Sequence, residues 1–215
     1  NGGAFTDEDI TETVIKTIVK AGEKINFPSV KREPEGSTTF ELIGWYTEDG
    51  NEWDEKDEVN KSMVLKAQWK ANYFDLPMPG GIYTIDNLES FQVFRDMVNA
   101  GNNFIDTTFV LTTDINLPKG WKSVGEGAIG DREAGFRGTF DGGKHTIKID
   151  NYQEVPVFGH IGKEGVIKDL IIKGDTVYGI NAPAISILHG KANNIHVSGK
   201  FYKCNSGVVE TAYDA

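Results

Sequence analysis

The segment that most constrains the fold of this chain is one that occurs twice in its C-terminal half. The run Lys168–Gly174 aligns with the run Asn193–Gly199, so that Leu170 and Ile195 occupy equivalent positions 25 residues apart. The glycines that end the two runs are separated by the same 25 residues. A sequence period of this size, with apolar residues at fixed places in each copy, is typical of parallel strands stacked in a solenoid.

Two earlier segments extend the repeat toward the middle of the chain. Residues 146–150 fit as one copy, in which Ile147 precedes Leu170 by 23 residues, and residues 113–117 fit as another, followed by a longer insertion. A single turn of a solenoid cannot bury its own apolar face. We therefore expect about four turns that pack on one another.

A strong helical pattern precedes these repeats. Apolar residues recur at helical spacing within Leu88–Ala100. We expect Asp86 to cap the N-terminus, with Glu89 completing a capping box, and Gly101 stands where a C-terminal cap belongs. Such an amphipathic helix needs an apolar surface to cover, so we expect it to close the first turn of the solenoid.

Residues 1–72 have the pattern of a small β module. β-Branched residues dominate Val14–Val19, residues 63–70 alternate between apolar and polar side chains, and the Asp-Gly-Asn run at 49–51 has turn chemistry. The module has no cysteine, so aromatic side chains must form its core; the candidates are Phe27, Phe40, Trp45, Trp53 and Trp69. Proline and glycine within residues 73–81 indicate a linker to a second domain at 82–215.

Charge and cysteine content exclude several classes of function. The chain holds 32 acidic residues against 22 basic ones, which gives a net charge of −10. Such a surface is a poor partner for nucleic acid or for an anionic membrane face. Cys204 is the single cysteine, so no internal disulfide forms, and no apolar run is long enough to span a bilayer. We expect a monomer that does not insert into a membrane.

Three motifs mark the first 70 residues. They are Phe27-Pro28, the run Phe40–Thr47 that ends in Gly-Trp-Tyr-Thr, and the run Val59–Trp69 that ends in Ala-Gln-Trp. Together they resemble the internalin B-repeat, also called the Listeria–Bacteroides repeat. The resemblance implies a small β-grasp-like sheet and a place in extracellular or outer-surface bacterial proteins, as a stalk or adhesive module. The Asn-Gly-Gly run at 1–3 resembles the turn that follows the family's opening strand, so we expect that strand to precede residue 1.

A second set of ordered motifs runs from Ile82 to Gly199. Its members are Trp121 with Val-Gly at 124–125, Phe136 followed by Gly-Thr-Phe-Asp-Gly at 138–142, His-Thr-Ile at 145–147, and Phe-Gly at 158–159. Their order and spacing resemble the GLUG-type right-handed β-helix, although Val-Pro-Val at 155–157 departs from the family's glycine-led step. The resemblance implies surface display and binding, and it implies no catalytic residues. No polar cap follows Val208, so we expect the solenoid to be truncated at its C-terminal end.

The sequence gives no metal or cofactor motif. The histidines are His145, His160, His189 and His196, and none stands in a zinc-binding spacing with another histidine or with Cys204. We interpret His145 as a turn residue, and Asp-Gly-Gly at 141–143 as a tight turn, since a calcium loop needs more oxygen ligands. Gly-x-Gly-x-x-Gly at 125–130 lacks the strand–turn–helix context of a dinucleotide site.

Catalysis by paired carboxylates is the main alternative, since right-handed β-helices also occur in polysaccharide lyases and glycoside hydrolases. Hydrolysis of a glycosidic bond needs two acids that face one sugar ring. The candidate pairs are Asp150 with Asp175 and Asp131 with Glu133, and Arg132 or Arg137 is available to a lyase. The fold alone does not assign such an activity.

Aromatic residues near loops and strand edges are further candidates for contact with a ligand. They are Trp121, Tyr152, Tyr178 and Tyr202, although for Trp121 we favour the role of a buried anchor. We predict a mainly β protein, with a β-grasp-like repeat domain and a right-handed parallel β-helix that carries an N-terminal capping helix. The predicted function is non-enzymatic adhesion or spacing at a bacterial surface, with a host protein or glycan as ligand. The alternative is a non-catalytic or partial region of a secreted β-helix carbohydrate-active enzyme or surface protease.

Overall fold

The chain divides into two compact units, here called unit 1 (Asn1–Pro77) and unit 2 (Met78–Ala215). A computed structural model describes residues 4–5, 17–127, 131–149, 155–178, 180, 182–202, 204 and 206–213. The described chain is mainly β with one α-helix, as the sequence predicts. Residues 73–81 connect the last strand of unit 1 to the first of unit 2, and the amide of Leu76 still donates to the Ser37 carbonyl of unit 1.

Unit 1 is built from two antiparallel sheets. Its strands are β1 (Ala4–Phe5), β2 (Val30–Lys31), β3 (Thr39–Thr47), β4 (Glu52–Trp53) and β5 (Leu65–Asn72). β1 pairs with β2, and the larger sheet has the order β4-β3-β5. Exposure alternates along β5, which confirms the predicted half-buried strand. The turn at Gly50 (φ +80°) joins β3 to β4, as its sequence indicates.

The aromatic core of unit 1 is more open than predicted. Phe27 stacks on Trp45 with ring centroids 5.4 Å apart, and Trp45 pairs in register with Trp53. The five aromatic candidates are nevertheless all half-buried and none is fully enclosed. The strand predicted at 14–19 is wrong for its described part, because residues 17–19 are irregular and Ile18 is fully exposed. Residues 14–16 lie outside the described chain.

Unit 2 is a β-solenoid of about five turns. Its helix is α1 (Leu88–Asn99), preceded by a short 3-10 turn (Pro79–Gly81). Its strands are β6 (Ile82–Ile85), β7 (Thr108–Leu111), β8 (Ile115–Asn116), β9 (Thr139–Asp141), β10 (Thr146–Ile149), β11 (Phe158–Ile161), β12 (Val166–Tyr178), β13 (Ile185–Leu188), β14 (Lys191–Tyr202) and β15 (Val209–Ala212).

All strand pairs in unit 2 are parallel. One sheet has the order β6-β7-β9-β12-β10-β8, with β14 added to β12, and a second has the order β11-β13-β15. β12 is long because its first part pairs with β9 and its second part with β10. The register places Leu170 beside Ile195 and Gly174 beside Gly199, which confirms the predicted 25-residue step.

The step to the preceding turn is also 25 residues, so the predicted 23 is wrong. Ile147 pairs with Ile172 and not with Leu170. The reason lies at the corner before each strand segment, where Asp169 and Asn194 adopt left-handed backbone conformations (φ +51° and +53°), as does Lys144 one turn earlier. These corners, rather than the apolar pattern, set the register.

The helix closes one end of the aromatic core. Phe91, Phe94 and Val98 are buried on its inner face, and Phe94 packs against Phe109 at 4.5 Å and against Phe136 at 5.2 Å. This arrangement confirms a helix that covers the first turns. Its bounds match the prediction to within one residue.

The N-terminal cap differs from the prediction. Asn87, not Asp86, is the N-cap: its Oδ1 accepts the Ser90 amide at 2.8 Å, and Ser90 Oγ accepts the Asn87 amide at 3.3 Å. Asp86 instead accepts from the Asn87 side chain at 2.9 Å. At the other end Gly101 (φ +101°) follows the helix as predicted, and its amide donates to the Val98 carbonyl.

Candidate functional site

Trp121 is enclosed by the core of unit 2. It is 4% exposed, and its ring stacks on Phe91 with centroids 5.0 Å apart. The Arg95 guanidinium lies 4.5 Å from the ring centroid, and Trp121 Nε1 donates to the Val157 carbonyl at 3.4 Å. These contacts occupy the indole, so Trp121 is a packed anchor and not a residue that a ligand reaches.

The strand register brings together two of the other aromatic candidates. Tyr178 on β12 pairs directly with Tyr202 on β14, so the two residues lie on adjacent turns, about 4.8 Å apart along the solenoid. Tyr202 is 46% exposed. Tyr152 lies outside the described residues. Of these candidates, Tyr202 at the end of β14 is therefore the described side chain that is open to a ligand.

The carboxylates of the 131–133 loop hold a structural arginine. Asp131 Oδ1 accepts the amide of Glu133 at 2.9 Å, and Arg137 pairs with Glu133 at 2.6 Å and with Glu164 at 2.7 Å. The hydrogen bond from Arg137 lowers the pKa of Glu164, and the same bond raises the pKa of Arg137. Of the alternative pair, Asp150 lies outside the described residues and Asp175 is exposed on β12.

The Asp-Gly-Gly segment is the tight turn that its sequence suggests. Asp141 Oδ1 accepts the Gly143 amide at 2.9 Å, Gly143 has φ +56°, and a Cβ atom on Gly142 would lie 2.6 Å from the Asp169 carbonyl oxygen. The other carboxylate oxygen pairs with Lys168 Nζ at 2.8 Å. Among the described residues, no group of three or more His, Cys, Asp or Glu side chains is placed to hold a metal ion.

The glycine-rich segment lies between two bridges to β11. Val124 pairs with Phe158 and Phe136 pairs with Ile161, while residues 128–130 of the Gly-x-Gly-x-x-Gly run lie outside the described residues. Gly125 (φ +80°) packs directly on the His160 carbonyl, where a Cβ atom would lie 2.6 Å away. The described residues 131–135 lead into the bridge at Phe136 and not into a helix, unlike the turn of a dinucleotide site.

A stack of rings that joins β11 to the residues after β13 and β15 was not predicted from the sequence. His160 is 1% exposed and His189 is 7% exposed, with ring centroids 5.1 Å apart, and His189 stacks on Tyr213 at 4.6 Å. His189 and Tyr213 each follow the last residue of a short strand, on adjacent turns. Alignment of these short strands is the signal that could have revealed the stack, but the strands are only four residues long.

His145 is a turn residue, as interpreted from the sequence. Its Nδ1 lies 3.4 Å from Asp114 Oδ1, which accepts the Thr146 amide at 2.8 Å. That backbone hydrogen bond is the main cause that lowers the pKa of Asp114. Cys204 is half-buried, and burial raises the pKa of its thiol, which disfavours the reactive thiolate.

Polar side chains in unit 2 repeatedly join one turn to the next. The pairs lie 24 to 32 residues apart in sequence: Asp114 with the Thr146 amide, Arg137 with Glu164, Asp141 with Lys168, Asp169 with Asn194, and Ser186 with Glu210. We call these contacts the inter-turn ties. One of them occupies Arg137, which the sequence offers as a candidate residue for a lyase.

In the described part of the chain, no helix combines the length and the apolar character needed to cross a bilayer. Comparisons with protein-family models, with curated proteins and with solved structures give no match to this chain. The two family resemblances therefore rest on the sequence motifs alone.

Proposed function

We propose that this chain is a non-enzymatic adhesion or spacer module of a bacterial surface protein, with a host protein or a glycan as its ligand. The observation that carries the proposal is the set of inter-turn ties. In each of them a polar group of one turn is bonded to the next turn, which favours a solenoid organised for length and rigidity.

The aromatic pair at the end of β12 and β14 supports the binding part of the proposal. Tyr178 and Tyr202 stand at matched positions on adjacent turns, and the Tyr202 side chain is 46% exposed. Exposed aromatic rings offer stacking area to sugars and to apolar side chains. Display at a bacterial surface is supported by the resemblance of both units to surface-protein repeats.

Turnover assays distinguish this proposal from the enzyme alternative. The purified chain is incubated with pectin, alginate and host glycans, together with the double variant Asp131→Asn/Glu133→Gln, and a glycan array and a host-protein array are probed in parallel. We expect no turnover with either protein. Turnover by the wild-type chain that the double variant loses would overturn the non-enzymatic proposal. As a matched control, Asp49→Asn/Glu48→Gln makes the same change in charge within unit 1.

A further inference from the structure

One polar column crosses the outer face of the solenoid in strict register. Asn116 on β8, Lys148 on β10, Lys173 on β12 and Ser198 on β14 pair in that order on successive strands. Lys148 lies between the buried residues Ile147 and Ile149, so its side chain points away from the core. Successive members stand about 4.8 Å apart. We call these four residues the lysine column.

In the described residues the two lysines of the column form no ion pair, although the charge of Lys148 adds to the Thr146 amide bond in lowering the pKa of Asp114. Both are exposed, and like charges side by side on neighbouring strands destabilise a sheet. Among the described residues, neither lysine is within 4.0 Å of a carboxylate oxygen, whereas Lys168 on the adjoining part of β12 pairs with Asp141. Lys148 and Lys173 therefore gain no stabilisation from ion pairs within the described chain.

The charged groups around the column indicate how much negative charge a ligand can carry there. Asp114 lies near its first strand, but its carboxylate is held by the Thr146 amide and by His145. Asp175 is exposed two residues beyond Lys173, and exposed His196 stands in the neighbouring column. Among its described residues, the face thus offers two adjacent cations, the Asp175 carboxylate and several neutral polar groups.

We propose that the lysine column binds an anionic oligosaccharide. The carboxylate or sulfate groups of the sugar pair with Lys148 and Lys173, while its hydroxyl groups bond to Asn116, Ser198 and Asp175. This inference rests on the binding part of the proposed function and names its ligand class. A dense polyanion such as nucleic acid fits less well, because the whole chain carries a net charge of −10 and, in the described residues, the column itself holds two lysines.

Charge is distributed unevenly between the two units in a way that favours unit 2 as the binding unit. Unit 1 contains 16 acidic and 9 basic residues, whereas unit 2 contains 16 acidic and 13 basic ones. An anionic ligand is therefore repelled less by unit 2 than by unit 1.

Calorimetric titration with defined hexasaccharides tests the inference. The probes are an oligogalacturonate, a sulfated heparin-derived hexamer and neutral cellohexaose, each added to the full chain. We expect one or both anionic probes to bind, cellohexaose to bind weakly or not at all, and added salt to weaken binding. The double variant Lys148→Gln/Lys173→Gln is expected to weaken binding at least about tenfold, equivalent to about 1.4 kcal/mol.

A second double variant, Lys144→Gln/Lys191→Gln, is the matched control, because it removes two exposed lysines of unit 2 that lie outside the column. We expect it to change binding less than about threefold. Equal weakening in both double variants, or equal binding of neutral and anionic probes, would overturn the inference. Failure of every anionic probe to bind also overturns the inference. The proposed function then still stands if an array identifies a neutral glycan or a protein as ligand. Turnover of a substrate is the result that overturns the proposed function itself.

Discussion

Asn194 donates from Nδ2 to Asp169 Oδ1 across 2.6 Å, and both residues occupy the same left-handed corner on successive turns. The corner does two things at once, since it separates the two pairing segments of β12 and its side chains bond one turn to the next. Asp and Asn adopt this backbone region at lower cost than most residues.

Substitutions at the corner separate these two effects. Asp169→Val places a β-branched side chain at φ +51° and also removes the bond to Asn194. We expect it to lower the free energy of unfolding of unit 2 by about 2–3 kcal/mol. Asp169→Gly loses only the side-chain bond and is expected to cost about 1 kcal/mol. Urea denaturation followed by circular dichroism measures both, and equal losses would show that the backbone conformation is unimportant.

Gly199 is predicted to be the least replaceable glycine of the solenoid. Its φ is +124°, and a Cβ atom there would lie 1.9 Å from the Gly174 carbonyl oxygen of the preceding turn. We expect Gly199→Ala to lower the free energy of unfolding by about 3 kcal/mol or more, because backbone atoms must move apart. Gly207→Ala is the control, since a Cβ atom at Gly207 meets nothing within 4 Å. A change below about 1 kcal/mol in Gly199→Ala would contradict the close packing of these turns.

The helix cap offers a test of the observed capping residue against the predicted one. Asn87→Ala removes the acceptor for the Ser90 amide, and we expect a loss of about 1 kcal/mol. Asp86→Ala removes only an acceptor for side-chain donors and is expected to cost less. Thermal unfolding of the two variants gives the order, and a larger effect of Asp86→Ala would restore the sequence-based assignment.

Because of the ion pair between Asp141 and Lys168, we expect the free energy of unfolding to fall at acidic pH. Burial raises the pKa of the Asp141 carboxyl, but the bonds from Lys168 and from the Gly143 amide outweigh it, so the net pKa lies below the ordinary 3.8. A carboxyl whose pKa is lower in the folded state stabilises the fold at pH values above its pKa in the unfolded chain. This stabilisation is lost as the pH falls through the pKa of the folded state.

We therefore expect the wild-type chain to lose more stability than Asp141→Asn when the pH falls from about 6 to about 3. The excess loss is at most about 1 kcal/mol, because Lys168 is partly exposed and solvent screens the pair. The asparagine retains an acceptor for the Gly143 amide, so the comparison isolates the charge. Parallel pH profiles of the two proteins in chemical denaturation would contradict the assignment.

Substitution of Trp121 is expected mainly to lower stability, whereas substitution of Tyr202 is expected mainly to weaken ligand binding. Trp121→Ala opens a cavity beside Phe91 and is predicted to cost about 3–5 kcal/mol of stability. Tyr202→Ala removes a half-exposed ring, so we expect a smaller loss of stability together with weaker ligand binding. Denaturation measurements and array binding on the same protein samples give both quantities. Weaker binding by a folded Trp121→Ala protein at full stability would place the tryptophan at the ligand instead.

The solenoid could be predicted from the sequence because Leu170, Ile195 and the two strand-ending glycines repeat at the period of one turn. The register of the preceding turn could not, because it depends on a left-handed corner at Lys144, a residue type with no preference for that conformation. The contact between His160 and His189 was missed for a related reason. It involves strands of only four residues, whose apolar pattern is too short to align in the sequence.

The constant spacing of the corners at Lys144, Asp169 and Asn194 has a consequence for how this unit can change in length. Removal or duplication of a 25-residue segment between equivalent corners keeps the register of β10, β12 and β14 and returns a left-handed residue to each bend. Unit 2 can therefore grow or shrink by whole turns, each about 4.8 Å along its axis. Small differences in length are taken up before the corner, because the step from Asp141 to Lys168 is 27 residues and the two extra residues stand in the glycine turn ahead of Lys144.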